Sequence, residues 1–228
     1  MNRVLVIAAH PDDEVLGCGG TIAKHIMKGD NVDILILSHG VDSRNLGEPN
    51  DRQKKEKVAL QQQTNSACEI LGATSVAVAN FPDNQCDTVP LLHIVKRVEA
   101  EILRVTPEIV YTHHSGDLNV DHQIAFQATV TACRPLPDNR IKSVFSYEVP
   151  SSTDWAPSIK SHLFAPNYFV DISSTLSKKL QALKAYTSEL RDFPHSRSLE
   201  AVESLAKWRG ANCGVRAAEA FVTIRRIE

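Results

Sequence analysis

Apolar residues recur along this chain in two alternating rhythms. Val4–Ala9 is an unbroken apolar run, as expected for a strand buried on both faces. Val32–Ser38, Ser75–Val78, Ile109–Thr112 and Ile141–Tyr147 are further short strand candidates. Helix candidates lie between them. Thr21–Lys28 is stopped by Gly29. From about Gln53 to Leu71, the residues Leu60, Thr64, Ala67 and Leu71 share one face, closed by Gly72. Pro90 opens a helix whose Leu91, Val95, Val98 and Ile102 form one stripe, with Pro107 beyond its end. Another helix runs from Asn119 to about Cys133. Strands alternating with helices predict βαβ units and a mostly parallel sheet with right-handed crossovers.

The last third is less regular. It offers a strand near Tyr168–Asp171, helices near Leu176–Leu190 and Leu199–Ala206, and an alternating strand at Ala220–Arg225. Pro150–Pro166 is a loop-rich stretch placed to overhang a site. The expectation is one Rossmann-like α/β domain over residues 1–228, its sheet flanked by helices, with a C-terminal elaboration. A length of 228 residues is ample for such a core.

Composition narrows the function classes. Hydrophobic residues are 43% and charged residues 23%, the balance of an ordinary soluble globular protein. The formal net charge is −2 and Lys and Arg are scattered, which argues against nucleic acid or an anionic membrane as main partner. The first apolar run ends in a charged turn and is too short for a signal peptide or a membrane span. Cys18, Cys68, Cys86, Cys133 and Cys213 are widely spaced with no C-x-x-C, so they read as reduced thiols in a cytoplasmic protein.

Chemistry concentrates at two strand ends. Ala9-His10-Pro11-Asp12-Asp13-Glu14 follows the first strand. Imidazole and carboxylate are good zinc ligands, and His10 and Asp13 face one point if a helix starts at Pro11, with Asp12 beside them. The competing reading is a plain helix cap, since Asp12 and Asp13 also suit a helix N-terminus. Thr112-His113-His114-Ser115-Gly116-Asp117-Leu118-Asn119-Val120-Asp121-His122 follows the fourth strand. Three histidines and two aspartates within ten residues exceed what a polar loop needs. In a sheet ordered 3-2-1-4-5, strands one and four are neighbours whose connections diverge, so the two segments meet in the crevice where such folds bind ligands. His10, Asp13 and His122 would then supply three zinc ligands and leave a fourth position for water, the catalytic pattern. Gly17, Gly19 and Gly20 lack the G-x-G-x-x-G spacing of a dinucleotide loop. Cys18 has no histidine partner indicated by spacing, and His25, His93 and His162 read as packing or surface residues.

The His-Pro-Asp-Asp-Glu segment with Gly17-Cys18-Gly19-Gly20 resembles the signature of the PIG-L/LmbE-like zinc-dependent de-N-acetylases. Asn119-Val120-Asp121-His122 resembles that family's second motif, and the likeness continues through Phe81-Pro82-Asp83, Tyr147-Glu148, His195-Ser196-Arg197-Ser198 and Ala218-Glu219-Ala220-Phe221. The resemblance implies zinc on His10, Asp13 and His122, with Asp12 as general base and Asp121 orienting a ligand or a neighbouring histidine. It implies that Arg44 and Asp83 hold sugar hydroxyls, and Asn119 is taken as a further substrate contact. Many members carry His-x-Asp-His where this chain has Asn119, and that first His stabilises the oxyanion. The role then falls to another group, for which His113 and His114 are the nearest candidates, His114 being favoured.

The implied reaction is hydrolysis of an N-acetyl amino sugar, releasing acetate. The alternatives are a zinc amidase acting on another amide, such as a thiol–sugar conjugate, and a non-enzymatic sugar- or nucleotide-binding module, which has no use for Asp12 beside two ligands. Homo-oligomers are frequent in that family, but no interface is readable in the sequence.

Overall fold

A computed structural model describes residues 1–41, 51–137, 139–159 and 163–228. Arg44 and His162 lie outside the described residues. Seven strands form one sheet: β1 (Arg3–Ala8), β2 (Asn31–Ser38), β3 (Ser75–Phe81), β4 (Ile109–His113), β5 (Ser143–Tyr147), β6 (Tyr168–Asp171) and β7 (Ala218–Arg226). Their order is β3-β2-β1-β4-β5-β7-β6. The pairs from β3 to β5 are parallel, as the alternation of strands and helices predicts. The C-terminal elaboration adds β7 antiparallel to both β5 and β6 at that edge.

Helices cover both faces: α1 (Asp13–Met27), α2 (Asp51–Leu71), α3 (Leu91–Val105), α4 (Val120–Ala132), α5 (Leu176–Ala185) and α6 (Leu199–Cys213). Because the central strands are covered on both sides, Val4, Val6 and Ala8 of β1 face one core while Leu5, Ile7 and Ala9 face the other. That double burial is the physical source of the unbroken apolar run. The first core joins α1, α2, α5 and α6; the second joins α3 and α4.

The largest departure from the predicted elements is α1, which begins at Asp13 rather than Thr21. Its first half is buried all round, so no amphipathic period marks it. The helix is kinked at Cys18, where φ is −147°. The backbone amides freed there, of Gly20 and Thr21, donate to the Glu219 carboxylate at 2.9 and 2.7 Å. A Cβ at Gly17 would lie 2.2 Å from the Tyr147 ring, so this turn tolerates only glycine. α5 ends at Ala185, short of the expected Leu190, whereas α6 runs on to Cys213.

Candidate active site

Both chemical segments leave neighbouring parallel strands at their carboxyl ends, where an α/β crevice opens. After β1 the chain turns through His10, Pro11 and Asp12 into α1. Asp12 stands at φ +99°, a left-handed conformation that costs a non-glycine residue roughly 1–3 kcal/mol and persists only where its surroundings enforce it. Its carbonyl accepts from the amides of Val15 and Leu16 at 3.0 and 2.8 Å, which starts the helix. Its own amide donates to Glu14 Oε2 at 3.1 Å. The other Glu14 oxygen accepts from the Tyr186 hydroxyl at 2.5 Å.

Three ligand-type atoms converge beside this turn. His10 Nδ1 lies 3.4 Å from Asp13 Oδ2 and 3.3 Å from His122 Nε2, and the last two are 3.2 Å apart. A tetrahedral ion with ligand bonds of about 2.0–2.1 Å has ligand–ligand edges of about 3.3 Å, and the three separations match that spacing. The opposite nitrogen of each imidazole meets a carboxylate: His10 Nε2 faces Asp121 Oδ2 at 3.0 Å and His122 Nδ1 faces Asp117 Oδ2 at 3.1 Å. Carboxylates so placed, hydrogen-bonded to His10 and in ion-pair contact with His122, favour the tautomer that leaves the opposite nitrogen its lone pair. They are themselves anchored. Asp121 accepts from the amides of Asn84 and Cys86 at 2.7 and 2.9 Å. Asp117 accepts from Thr153 Oγ1 at 2.7 Å and from the Ser152 hydroxyl.

Two other groups among the described residues also cluster, His113–Asp117–His122 and His10–Asp83–Asp121. Each uses a nitrogen already directed at its orienting carboxylate, or the wholly buried His113, so the first triangle is the one open to the cleft.

Electrostatics agree with a cation site. Burial pushes His122 down, but Asp13 and Asp117 outweigh it and raise its pKa to about 9. Burial likewise opposes a charged His10, and Asp121 and Asp13 raise it well above the imidazole range. At Asp12 burial is itself the raising cause: reinforced by Asp13, it lifts the carboxyl well above the carboxylate range while Arg197 counteracts.

The triangle and Asp12 line a cleft of about 340 Å³, with Asp83, Asn119, Glu189 and Arg197 also on its wall. Asp83 Oδ1 is 3.4 Å from His10 Nε2. Asn119 is engaged at both ends of its amide: its oxygen caps α4 by accepting from the Asp121 amide at 2.8 Å, and its nitrogen donates to Asn84 Oδ1 at 2.8 Å.

The two oxyanion candidates are placed the other way round from expectation. His113, the last residue of β4, points inward and stacks on His122 with ring centroids 4.0 Å apart. Its Nε2 accepts from the Ala9 amide at 2.8 Å, and burial holds its pKa at about 3, so it is neutral and fully buried. His114 points away, edge-on to Phe164 at 5.3 Å, because successive residues at a strand end face opposite sides. Neither lines the cleft.

Sequence reasoning assigns no role to Asp117, Glu14, Tyr186, Glu189 or Arg197. Asp117, Glu14 and Arg197 stand inside segments already conspicuous for their residue types; Tyr186 has no local signal.

Residues 5–133 match the family model described as PIG-L: GlcNAc-PI de-N-acetylase. The chain belongs to the PIG-L family. It is 31% identical over 197 residues to the uncharacterized deacetylase YaiS of Escherichia coli K12, covering 81% of this chain and 90% of that one. Diacetylchitobiose deacetylase of Thermococcus kodakarensis is 27% identical, with 96% and 82% covered. A relative of different name, 4-oxalmesaconate hydratase of Pseudomonas putida, is 29% identical, with 81% and 73% covered. Among solved structures, the conserved protein TT1542 of Thermus thermophilus superposes with a TM-score of 0.78 at 28% identity, covering 100% of this chain and 97% of that one. The PIG-L match spans the whole ligand triangle but stops before Tyr186, Glu189 and Arg197.

Proposed function

We propose that this PIG-L protein is a zinc-dependent N-deacetylase that hydrolyses the acetamide of an N-acetylated amino sugar and releases acetate. The observation that carries the reading is the 3.2–3.4 Å triangle of His10, Asp13 and His122, open on a cleft with Asp12 beside it. Two imidazoles and one carboxylate are a donor set suited to zinc. When bound there, the ion supplies Lewis acidity, polarising the acetyl carbonyl and lowering the pKa of water toward about 7. Asp12 takes the proton from the attacking water, and its buried carboxyl favours holding it. It returns that proton to the leaving amine, giving acetate and the free amino sugar. Asp121 and Asp117 keep His10 and His122 in the ligating orientation. Asp83, on the cleft wall, and Arg44 are the groups proposed to meet sugar hydroxyls. Among the described residues no helix is long and apolar enough to cross a membrane. The free cysteines support a cytoplasmic setting.

The hydratase relative favours a second reading, in which the same base directs water to an unsaturated carboxylic acid; Arg191 and Arg197 on the cleft wall suit such an anion. One assay separates the two. Acetate release is followed across N-acetyl amino sugars (lipid-, nucleotide-, glycoside- and thiol-linked), before and after chelation and with zinc restored. Zinc-dependent acetate release supports deacetylation. No acetate from any of them, with zinc-dependent hydration of an unsaturated dicarboxylate, overturns it.

A further inference from the structure

Asp12 is held from two directions, and both holds come from the last third of the chain. Its backbone amide is fixed by Glu14, whose second oxygen is held by the Tyr186 hydroxyl just past α5. Glu14 and Tyr186 are both wholly buried. Its carboxylate meets Arg197, with Nη1 3.5 Å from Asp12 Oδ2. Arg197 is seated in turn by Glu189, 3.9 Å away on the same cleft wall. The next turn of α1 is tied down from the same side, since Lys179 donates to the Leu16 carbonyl at 2.8 Å and to Glu219 at 2.6 Å.

We propose that Tyr186 and Arg197 are positioning residues for Asp12, Tyr186 acting through Glu14 on its backbone and Arg197 on its carboxylate. The inference rests on Asp12 being the base, as in the reading above. A left-handed aspartate is a strained conformation that survives only under such constraint. Without the phenol, Glu14 loses the partner that fixes its rotamer, and the amide loses a fixed acceptor. Without the guanidinium, the carboxylate loses the cation that faces it across the cleft. Neither group touches the ligand triangle, so metal binding is left alone.

The test is a double-mutant cycle on the zinc-loaded enzyme. Tyr186→Phe and Arg197→Met are made alone and in the Asp12→Ala background. Turnover is measured on an N-acetylglucosaminide and on 4-nitrophenyl acetate, an ester that asks only for an activated water and a base. Each single variant is expected to lower kcat by about 10–100-fold, the cost of misplacing a reacting group, with KM and zinc content unchanged. Arg197→Lys is expected to recover part of the loss. In the Asp12→Ala background both losses should vanish, because the group they position is gone. Equal losses in both backgrounds, a loss confined to KM, or a parallel loss of zinc would overturn the proposal. Vanishing losses on the ester with no acetate from the sugar would sustain the clamp while the deacetylase reading fails. If Tyr186→Phe does not fold, the Arg197 pair completes the cycle.

Discussion

The ligand triangle and the clamp on Asp12 share one cleft yet are built from different parts of the chain. The triangle comes from residues 10–122, inside the segment that matches the family model, and stands on the ends of two neighbouring parallel strands. The clamp comes from Tyr186, Glu189 and Arg197, in the elaboration that adds two antiparallel strands. The triangle needs particular residue types at short spacing, because an ion accepts few donor atoms at fixed distances. The clamp needs only a buried hydroxyl and a cation at the right place, which many local sequences can supply. On the proposed reading, one region would hold the ion and the other would keep Asp12 placed to move the proton.

The first way to break this division is at the triangle. Asp13→Asn is expected to lose both zinc and turnover, the largest effect of any single substitution here. Elemental analysis and acetate release check it; an Asp13→Asn protein with a full complement of zinc would contradict the assignment. Next come the carboxylates behind the ligands. Asp117→Asn and Asp121→Asn should weaken zinc affinity by about 10–100-fold and recover turnover in excess zinc. Chelator competition measures this, and unchanged affinity would mean that the imidazoles need no such support.

The pH dependence of zinc binding sharpens the same side. In the metal-free protein Asp13 and Asp117 outweigh burial and raise His122 to about 9. Below that pH a proton must leave before the ion enters. Affinity should therefore rise about tenfold per pH unit for each proton displaced, with the His122 contribution flattening above about pH 9. Affinity that stays flat across neutral and alkaline pH would show that His122 is already neutral.

The smallest effect concerns His114. As an oxyanion donor its loss would cost about 10²–10³ in turnover. Packed against Phe164 and off the cleft wall, it is instead expected to leave turnover near wild type in His114→Ala. A large loss would bring it back to the reacting centre.

These expectations follow how much the sequence discloses. The central parallel strands are legible because burial on both faces leaves apolar runs, and their order brings His10 near His122. The N-terminal half of α1 is not, because a helix buried all round shows no period and its Gly17-Cys18-Gly19-Gly20 run looks like a loop. The directions of His113 and His114 come out reversed because strand alternation says that they diverge but not which one turns inward. Asn119 reads as a substrate contact, yet its amide caps α4 and bonds Asn84; capping competes for the same side chain. Tyr186 leaves no trace in its own neighbourhood because its hydrogen bond to Glu14 spans 172 residues.

Zinc content and turnover, measured together on Asp12→Asn, decide most directly between the two halves of the site. If the triangle binds the ion and Asp12 moves the proton, this protein carries as much zinc as the wild type and turns over about 10²–10⁴-fold more slowly. Lost zinc would make Asp12 a ligand, and intact turnover would remove it from the reaction.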